Sequence, residues 1–165
     1  MKKIIIAIDS FKGCLTSAEA GKAAEKGIKS INPSCHTSVI PIADGGEGLL
    51  DVLITATKGK YITLSAHGPL MKMTKTHYGL SGNGRTAIIE MAAISGLPLV
   101  PIEQRNPMLT TTFGTGELIK DALNKGCRNF IIGIGGSATN DAGLGMLQAL
   151  GFRFLDKSGH TLGTG

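Results

Sequence analysis

The sequence has no tryptophan, only two tyrosines, and 4% aromatic residues in total. Its 17 basic residues outnumber the 12 acidic ones, for a formal net charge of +5, but they are scattered along the chain. Proteins that bind nucleic acid usually present a basic stripe together with aromatic side chains on which bases stack. The lack of both features argues against a nucleic-acid partner, and the positive charge favours small anionic ligands.

Cysteines and long apolar runs are also scarce. Cys14, Cys35 and Cys127 are far apart and outside any C-x-x-C spacing, which argues against a disulfide framework and a zinc site. No run approaches the roughly 18 apolar residues that a membrane span requires. The first apolar run, 4–8, ends at Asp9, too early for a signal peptide. We therefore expect a cytoplasmic protein with no membrane partner.

Glycine, in contrast, is abundant. The chain has 24 glycines in 165 residues, about twice the roughly 7% that is average for proteins. They show no three-residue period, which excludes a collagen-like chain. They cluster where apolar runs end, at positions where a backbone turns tightly or approaches a ligand closely.

Two kinds of local pattern divide the chain. At both ends, apolar runs alternate with helix signals such as the capping box formed by Thr16 and Glu19. The middle has strand-like runs and a hairpin turn at 81–84, where glycine and asparagine tolerate positive φ. The predicted strands are 4–8, 36–42, 61–66, 72–80, 85–91, 129–134 and a strand start at 152–154. The predicted helices are one that runs from the capping box to about 29, then 49–57, 114–125 and 142–150. This order predicts an α/β fold with an antiparallel or mixed section.

Three strand-to-helix junctions share one design, in which an apolar strand is followed by a loop with glycine or serine and an aspartate. They are 9–13, 44–48 and 135–141. Ligands of open α/β sheets bind beyond the carboxyl ends of the strands, where helix N-termini and glycine amides suit phosphate or carboxylate. Aspartates there suit Mg²⁺, proton transfer or a ligand hydroxyl. For any single junction, the alternative of a capping aspartate with turn glycines remains open.

A fourth segment, 106–117, offers threonine hydroxyls immediately before a helix. Taken alone, it is better interpreted as an ordinary helix cap with turn glycines. Arg105, just before it, has the planar fork that grips a carboxylate, and Lys12 in the first junction could contact phosphate as a point charge. For both side chains the alternative is simple exposure to solvent.

The segment 133–138 fits the relaxed dinucleotide fingerprint G-x-G-x-x-A, and Asp156 follows about twenty residues later, where a ribose-binding acid is expected. Two features argue against it: the following helical turn is polar, and the motif comes late in the chain. An oxidoreductase that uses NAD or NADP therefore remains an alternative. The nearest match to a Walker A motif, at 21–23, lies inside a predicted helix and lacks the first glycine and the hydroxyl, so it is rejected.

Five short blocks occur in an order and spacing that resembles the bacterial glycerate kinase family, of the glycerate 2-kinase type. The blocks are 9–13, 43–48, 89–97, 105–119 and 133–141, and the resemblance runs from residue 4 to about 155. Cys14, where a small serine is expected, and Ala142, where a glycine is expected, depart from the family pattern.

The resemblance implies an ATP-dependent kinase that phosphorylates D-glycerate and uses Mg²⁺. It also implies a Rossmann-like lobe, built from both ends of the chain, with an inserted second lobe of mixed α/β structure. Residues 1–65 would then be the first part of the Rossmann-like lobe, and 66–165 the incomplete inserted lobe. Because family members are substantially longer, we expect this chain to be an N-terminal part, truncated at its C-terminus.

The residues and the resemblance together suggest roles in phosphoryl transfer, which needs charge neutralisation, alignment and a proton acceptor. Either Asp44 or Asp141 would accept the hydroxyl proton while the other helps to place Mg²⁺, with Asp141 as the expected metal residue, and Lys12 would neutralise phosphate charge. The expected substrate-binding residues are Asp9, Ser10, Glu47, Arg105 and Asn106. The expected nucleotide or phosphate-binding residues are Thr111, Thr112, Gly114, Gly135, Gly136, Ser137 and Asn140.

A non-enzymatic alternative also follows from the expected truncation. A stable but inactive piece would self-associate into a homo-oligomer through the sheet edges that its missing half would cover.

Overall fold

The structure is a computed structural model that describes residues 3–163. The chain forms two compact units, Met1–Asp44 and Gly45–Gly165. Each unit is built from both strands and helices, so the α/β class is confirmed. The Rossmann-like lobe, the insertion and the division at residue 65 remain predictions.

The first unit is a strand, helix, strand unit. β1 (Lys3–Ile8) and β2 (His36–Pro41) pair in parallel, with Lys3 opposite His36 and Ile8 opposite Pro41. The helix between them, α1 (Ser17–Ile31), begins at the predicted capping box: the Glu19 amide donates to the Thr16 hydroxyl at 3.2 Å, and the Thr16 amide donates to the Glu19 carboxylate at 2.8 Å.

The second unit contains a four-stranded sheet in the order β3 (Lys60–His67), β4 (Met73–Leu80), β5 (Thr86–Glu90) and β6 (Asn129–Gly133). The β3–β4 and β4–β5 pairs are antiparallel, and β5 and β6 are parallel. The predicted mixed section is thus confirmed. The helices are α2 (Leu49–Thr57), α3 (Ala92–Ser95), α4 (Phe113–Asn124) and α5 (Leu144–Ala149), with two 3-10 turns at Leu97–Leu99 and Ile102–Gln104.

Helices cover both faces of this sheet because successive side chains of a strand point to opposite faces. Ile88 of β5 packs with Leu50 and Ile54 of α2 on one face. Its neighbour Ile89 belongs to the larger core on the other face, which includes Leu118 of α4. No helix in the described part of the chain has the length and apolar content that a membrane span requires.

Most predicted elements are present within a few residues of their expected bounds, but residues 152–154 are not a strand. The Phe152 amide closes the turn after α5 by donating to the Leu147 carbonyl at 3.0 Å. The chain then folds back on itself, and Leu155 and Thr161 form an isolated bridge. The short helix α3 and the two 3-10 turns lack a periodic pattern long enough to predict them.

Candidate functional site

In the first unit, the predicted residues Asp9 and Ser10 follow β1 directly, and an Asp9 carboxylate oxygen accepts a hydrogen bond from the Ser10 amide at 2.6 Å. Ser17, which sequence reasoning missed, joins the carboxyl ends of the two strands. Its hydroxyl donates to the Ile8 carbonyl at 2.6 Å and accepts from the Ile42 amide at 3.0 Å. Asp9 and Ser10 thus lie at the end of a strand, as predicted. Ser17, in the first turn of α1, holds that strand end to the end of β2.

Lys12 and Asp44 are exposed side chains of the same unit. Lys12 lies in the turn that a bridge between Phe11 and Leu15 closes, next to Gly13 with a φ of +72°. Asp44 ends the segment that follows β2. Their expected roles remain predictions.

In the second unit, two glycine-rich loops lie backbone against backbone. The Gly135 amide donates to the Gly45 carbonyl at 3.0 Å. A Cβ atom added to Gly133 would lie 2.6 Å from the Gly45 carbonyl oxygen, and one added to Gly135 would lie 2.6 Å from the Gly46 Cα. Such contacts are closer than a Cβ tolerates, so these positions require glycine for the close approach of the two loops. The Gly135 amide already donates its hydrogen bond to a carbonyl of the protein and is not available to a dinucleotide phosphate. This weakens the alternative that the segment binds NAD or NADP.

Glu90 is the clearest polar residue that sequence reasoning left without a role. It ends β5, and its carboxylate accepts from the amides of Gly48 and Leu50, each at 3.1 Å. These amides lie at the start of α2, whose cap residue Gly48 has no side chain to satisfy them. Burial raises the pKa of Glu90, helped by the nearby Asp51 and Glu47 carboxylates, and the two amides oppose this only in part. A carboxylate at the end of a buried strand was the available signal.

Asp141 lies between the N-terminal ends of α4 and α5. Its Oδ2 accepts from the Thr112 amide and hydroxyl, both at 2.8 Å, and from the Gly145 amide at 3.1 Å. Its Oδ1 accepts from the Gly143 amide at 3.0 Å. Burial alone would raise the pKa of Asp141, but these hydrogen bonds outweigh it and hold the pKa below its ordinary value.

These contacts change how the predicted phosphate cradle at Thr111, Thr112 and Gly114 is interpreted. The Thr112 amide and hydroxyl are already donated to Asp141, and the Thr111 amide donates to the Pro69 carbonyl at 3.0 Å. Gly114 is buried, and a Cβ there would overlap the His67 carbonyl oxygen. The anion at this helix N-terminus is thus the protein's own carboxylate, in the position where such termini bind ligand anions. A phosphate role for these three residues remains a prediction.

A cavity of about 240 Å³ in the second unit brings together three of the predicted residues, Arg105, Asn106 and Ser137. Its remaining lining residues are Leu97, Val100, Pro107, Thr110, Ala138 and Thr139. We call this the Arg105 cavity.

Two hydrogen bonds shape the walls of the Arg105 cavity. The Thr110 hydroxyl donates to the Ala138 carbonyl at 2.8 Å and ties the two walls together. The Arg105 Nε donates to the Val100 carbonyl at 3.3 Å, and no carboxylate within residues 3–163 forms an ion pair with this guanidinium. A cationic fork beside hydroxyl groups and an apolar wall suits a small hydroxylated anion.

The remaining predicted residues lie outside this cavity. Glu47, Gly136 and Asn140 are exposed, and Gly136 has a φ of +73°. The Gly136 carbonyl accepts from the Leu97 amide at 2.9 Å, so the loop that bears Gly136 and Asn140 is fixed on the segment that follows α3.

Comparison with known proteins identifies close relatives. A model of the glycerate kinase family matches residues 4–165. The chain is 55% identical to a glycerate kinase of Bacillus subtilis and 51% identical to the glycerate 2-kinase of Escherichia coli, and each alignment covers 99% of this chain but 43% of the relative. A crystal structure from Salmonella typhimurium LT2, of a protein proposed to be glycerate kinase 2, superposes with a TM-score of 0.85 at 48% identity, over 100% of this chain and 45% of that chain. The chain thus spans less than half the length of these relatives.

Proposed function

Because the chain belongs to the glycerate kinase family, we propose that the protein that contains it phosphorylates D-glycerate with ATP. The observation that carries this proposal is the Arg105 cavity, where an arginine without a carboxylate partner in the described chain lies beside serine and threonine hydroxyls. Membership of the family indicates the class of reaction. The arginine and the hydroxyl groups of the cavity suit the binding of a small hydroxy acid.

The size of the cavity supports a small substrate. At about 240 Å³ it is smaller than the roughly 300–1,000 Å³ of sites for drug-sized ligands. A three-carbon hydroxy acid fits such a volume better than a nucleotide does. In this proposal, the Arg105 fork holds the glycerate carboxylate, and Asn106 and Ser137 contact its hydroxyl groups.

The remaining roles follow the needs of phosphoryl transfer. Asp44 accepts the proton of the attacking hydroxyl, and Lys12 neutralises phosphate charge. Asp9, Ser10 and Glu47 supply polar contacts to the substrate. Gly136 and Asn140 provide the loop for the nucleotide phosphates, and Gly135 fixes that loop because its amide donates to the Gly45 carbonyl. Proton acceptance is assigned to Asp44 because both carboxylate oxygens of Asp141 already accept hydrogen bonds.

The predicted Mg²⁺ role of Asp141 does not fit its surroundings. A cation on this carboxylate would have to displace amide and hydroxyl donors that lie within 3.1 Å. Within residues 3–163, no group of three or more His, Cys, Asp or Glu side chains could hold a metal ion. We therefore assign no described residue to Mg²⁺ and derive no step through it.

The proposal is tested by ADP release coupled to a spectroscopic readout, with D-glycerate and ATP and the intact protein. We expect saturable turnover that depends on both substrates. D-Lactate, which has the carboxylate and the 2-hydroxyl in the same configuration but lacks the 3-hydroxyl, is the matched control and should give far less ADP. Saturable NADH binding without any response to ATP would support the oxidoreductase alternative instead. Turnover by the 165-residue chain alone would contradict the inactive-piece alternative.

A further inference from the structure

Asp141 is at the centre of a joint between two segments of the second unit. Its carboxylate accepts six hydrogen bonds, and the Thr112 hydroxyl in turn accepts from the Met146 amide at 2.9 Å. The start of α5 is therefore tied to the residue before α4 in two ways, directly through Asp141 and through the Thr112 hydroxyl. The approach is close: a Cβ on Gly145 would lie 2.9 Å from Asp141 Oδ2 and 2.8 Å from the Phe113 amide nitrogen.

The two segments that Asp141 joins also form opposite walls of the Arg105 cavity. Thr110, two residues before Thr112, lies on one wall. Ser137, Ala138 and Thr139, just before Asp141, lie on the other. The hydrogen bond from the Thr110 hydroxyl to the Ala138 carbonyl is the second tie between these walls. The spacing of the walls thus depends on both ties.

The geometry of the carboxylate argues against direct participation in the reaction. A proton acceptor needs a lone pair within hydrogen-bond reach of the substrate proton. Asp141 Oδ2 already has four donors between 2.8 and 3.4 Å. Oδ1 has the Gly143 amide at 3.0 Å and the Thr112 hydroxyl at 3.1 Å. Three of these five donor groups are backbone amides, which are fixed by the helix ends that they belong to.

We propose that Asp141 is a positioning residue: it holds Thr112 to the start of α5 and thereby fixes the spacing of the Arg105 cavity walls. This inference rests on the proposed function. Asp141 would affect substrate binding indirectly, through the position of Thr112 and the cavity walls, and would not transfer a proton.

The test compares Asp141→Asn and Thr112→Val in the intact protein, because both weaken the same joint. Asn keeps the shape of Asp but replaces one acceptor oxygen with a donor, and Val removes only the Thr112 hydroxyl. We expect each change to raise the KM for D-glycerate by about 10–100-fold, while kcat changes by less than about threefold and the pH profile of kcat keeps its position. Because the two residues act through one joint, their effects should not be independent. The fold increase in KM of the double variant should be well below the product of the fold increases of the two single variants.

Two controls separate this role from general damage to the fold. Thr112→Ser keeps the hydroxyl and should have a near-normal KM, which a loss of packing alone does not predict. Thr63→Val makes the same change at an exposed position of β3 and should have no effect. If Asp141→Asn fails to fold, the comparison of Thr112→Val with Thr112→Ser carries the test.

Three outcomes would overturn the inference. A loss of kcat by several orders of magnitude in Asp141→Asn, with a normal KM and a normal Thr112→Val variant, would show that Asp141 takes part in the chemistry. A normal KM in both variants would show that the joint does not set the cavity. Absence of wild-type activity on D-glycerate would overturn the proposed function, and this inference with it.

Discussion

The Glu90 carboxylate lies 3.1 Å from the Gly48 amide nitrogen, so the last side chain of a strand caps a helix whose cap residue is 42 positions earlier in the chain. A glycine at the cap position has no side chain to satisfy the free amides of the first helical turn, and those amides carry the positive end of the helix dipole. Glu90 supplies the missing acceptor and also the negative charge. It thus fixes the start of α2 and with it the loop that bears Glu47.

Replacement of Glu90 by alanine should destabilise the protein, because it leaves the amides of Gly48 and Leu50 without their acceptor. The loss of a helix cap costs about 1–2 kcal/mol. Glu90→Gln keeps one acceptor oxygen and should lose less than half of that amount at neutral pH. Urea unfolding followed by circular dichroism measures both. Equal losses in the two variants would contradict a capping role.

The stability contribution of Glu90 should also depend on pH. Because burial raises the pKa of Glu90 in the folded protein above its ordinary value of 4.5, the folded state binds a proton there more tightly than the unfolded state does. The resulting stabilisation is fully present below the unfolded pKa and is lost as the pH rises through the folded pKa. The stability of Glu90→Gln relative to wild type should therefore increase as the pH rises from about 4 towards neutrality.

Unfolding free energies measured across this pH range check the sign of this prediction. Asp51 and Glu47 are the acidic groups that face Glu90 and help to raise its pKa, so Asp51→Asn should reduce the effect. Glu103→Gln changes an exposed glutamate in a 3-10 turn and serves as the control. A relative stability of Glu90→Gln that falls as the pH rises would contradict the raised pKa.

Local signals in the sequence were sufficient to predict most of the elements. The capping box at Thr16 and Glu19 formed as expected, and α2 has the predicted bounds of Leu49–Thr57. Both features depend on residues a few positions apart, which is the range over which helix signals act. The turn at 81–84 likewise formed from its own residues, with the Asn83 side chain accepting from the Arg85 amide at 3.0 Å.

The partners of the functional side chains could not be predicted in this way. Asp141 accepts a hydrogen bond from the Thr112 amide, 29 positions earlier in the chain. Glu90 accepts from two amides that are 40 and 42 positions before it. Such pairs depend on which strands become neighbours in the sheet, and no short-range pattern records that. The same holds for the glycines. The sequence indicates that another group approaches the backbone closely at Gly135, but it does not indicate whether that group is a ligand phosphate or the Gly46 backbone.

Replacement of Gly135 by alanine should destabilise the protein by about 1–3 kcal/mol, the typical cost of inserting an atom into a well-packed site. The added Cβ would lie 2.6 Å from the Gly46 Cα, a backbone atom that cannot rotate away. Gly27→Ala in α1 is the matched control, because a Cβ there meets nothing within 4 Å. It should stabilise the protein by about 0.5–1 kcal/mol, since alanine favours a helix interior over glycine.

Thermal unfolding of the two glycine variants checks these opposite signs, and equilibrium binding of ATP adds a second readout. If Gly135 is required for loop packing, Gly135→Ala should be destabilised whether or not ATP is present. If its only role were close contact with a ligand phosphate, the variant would bind ATP more weakly but unfold like the wild type, and that result would contradict the packing role.

Replacement of Arg105 by methionine should weaken glycerate binding with little effect on the nucleotide. Hydrogen bonds to a charged group contribute about 1.5–3 kcal/mol, which corresponds to a rise of about 10–100-fold in the KM for D-glycerate. Arg105→Lys keeps the charge but loses the planar fork, so its KM should lie between those of the wild type and Arg105→Met.

Arg85→Met removes an exposed arginine beside the hairpin turn and is the matched control for the loss of one positive charge. If Arg85→Met raised the KM as much as Arg105→Met did, the effect would reflect net charge, and Arg105 would not be the carboxylate ligand. A KM change confined to ATP would instead place Arg105 at the nucleotide.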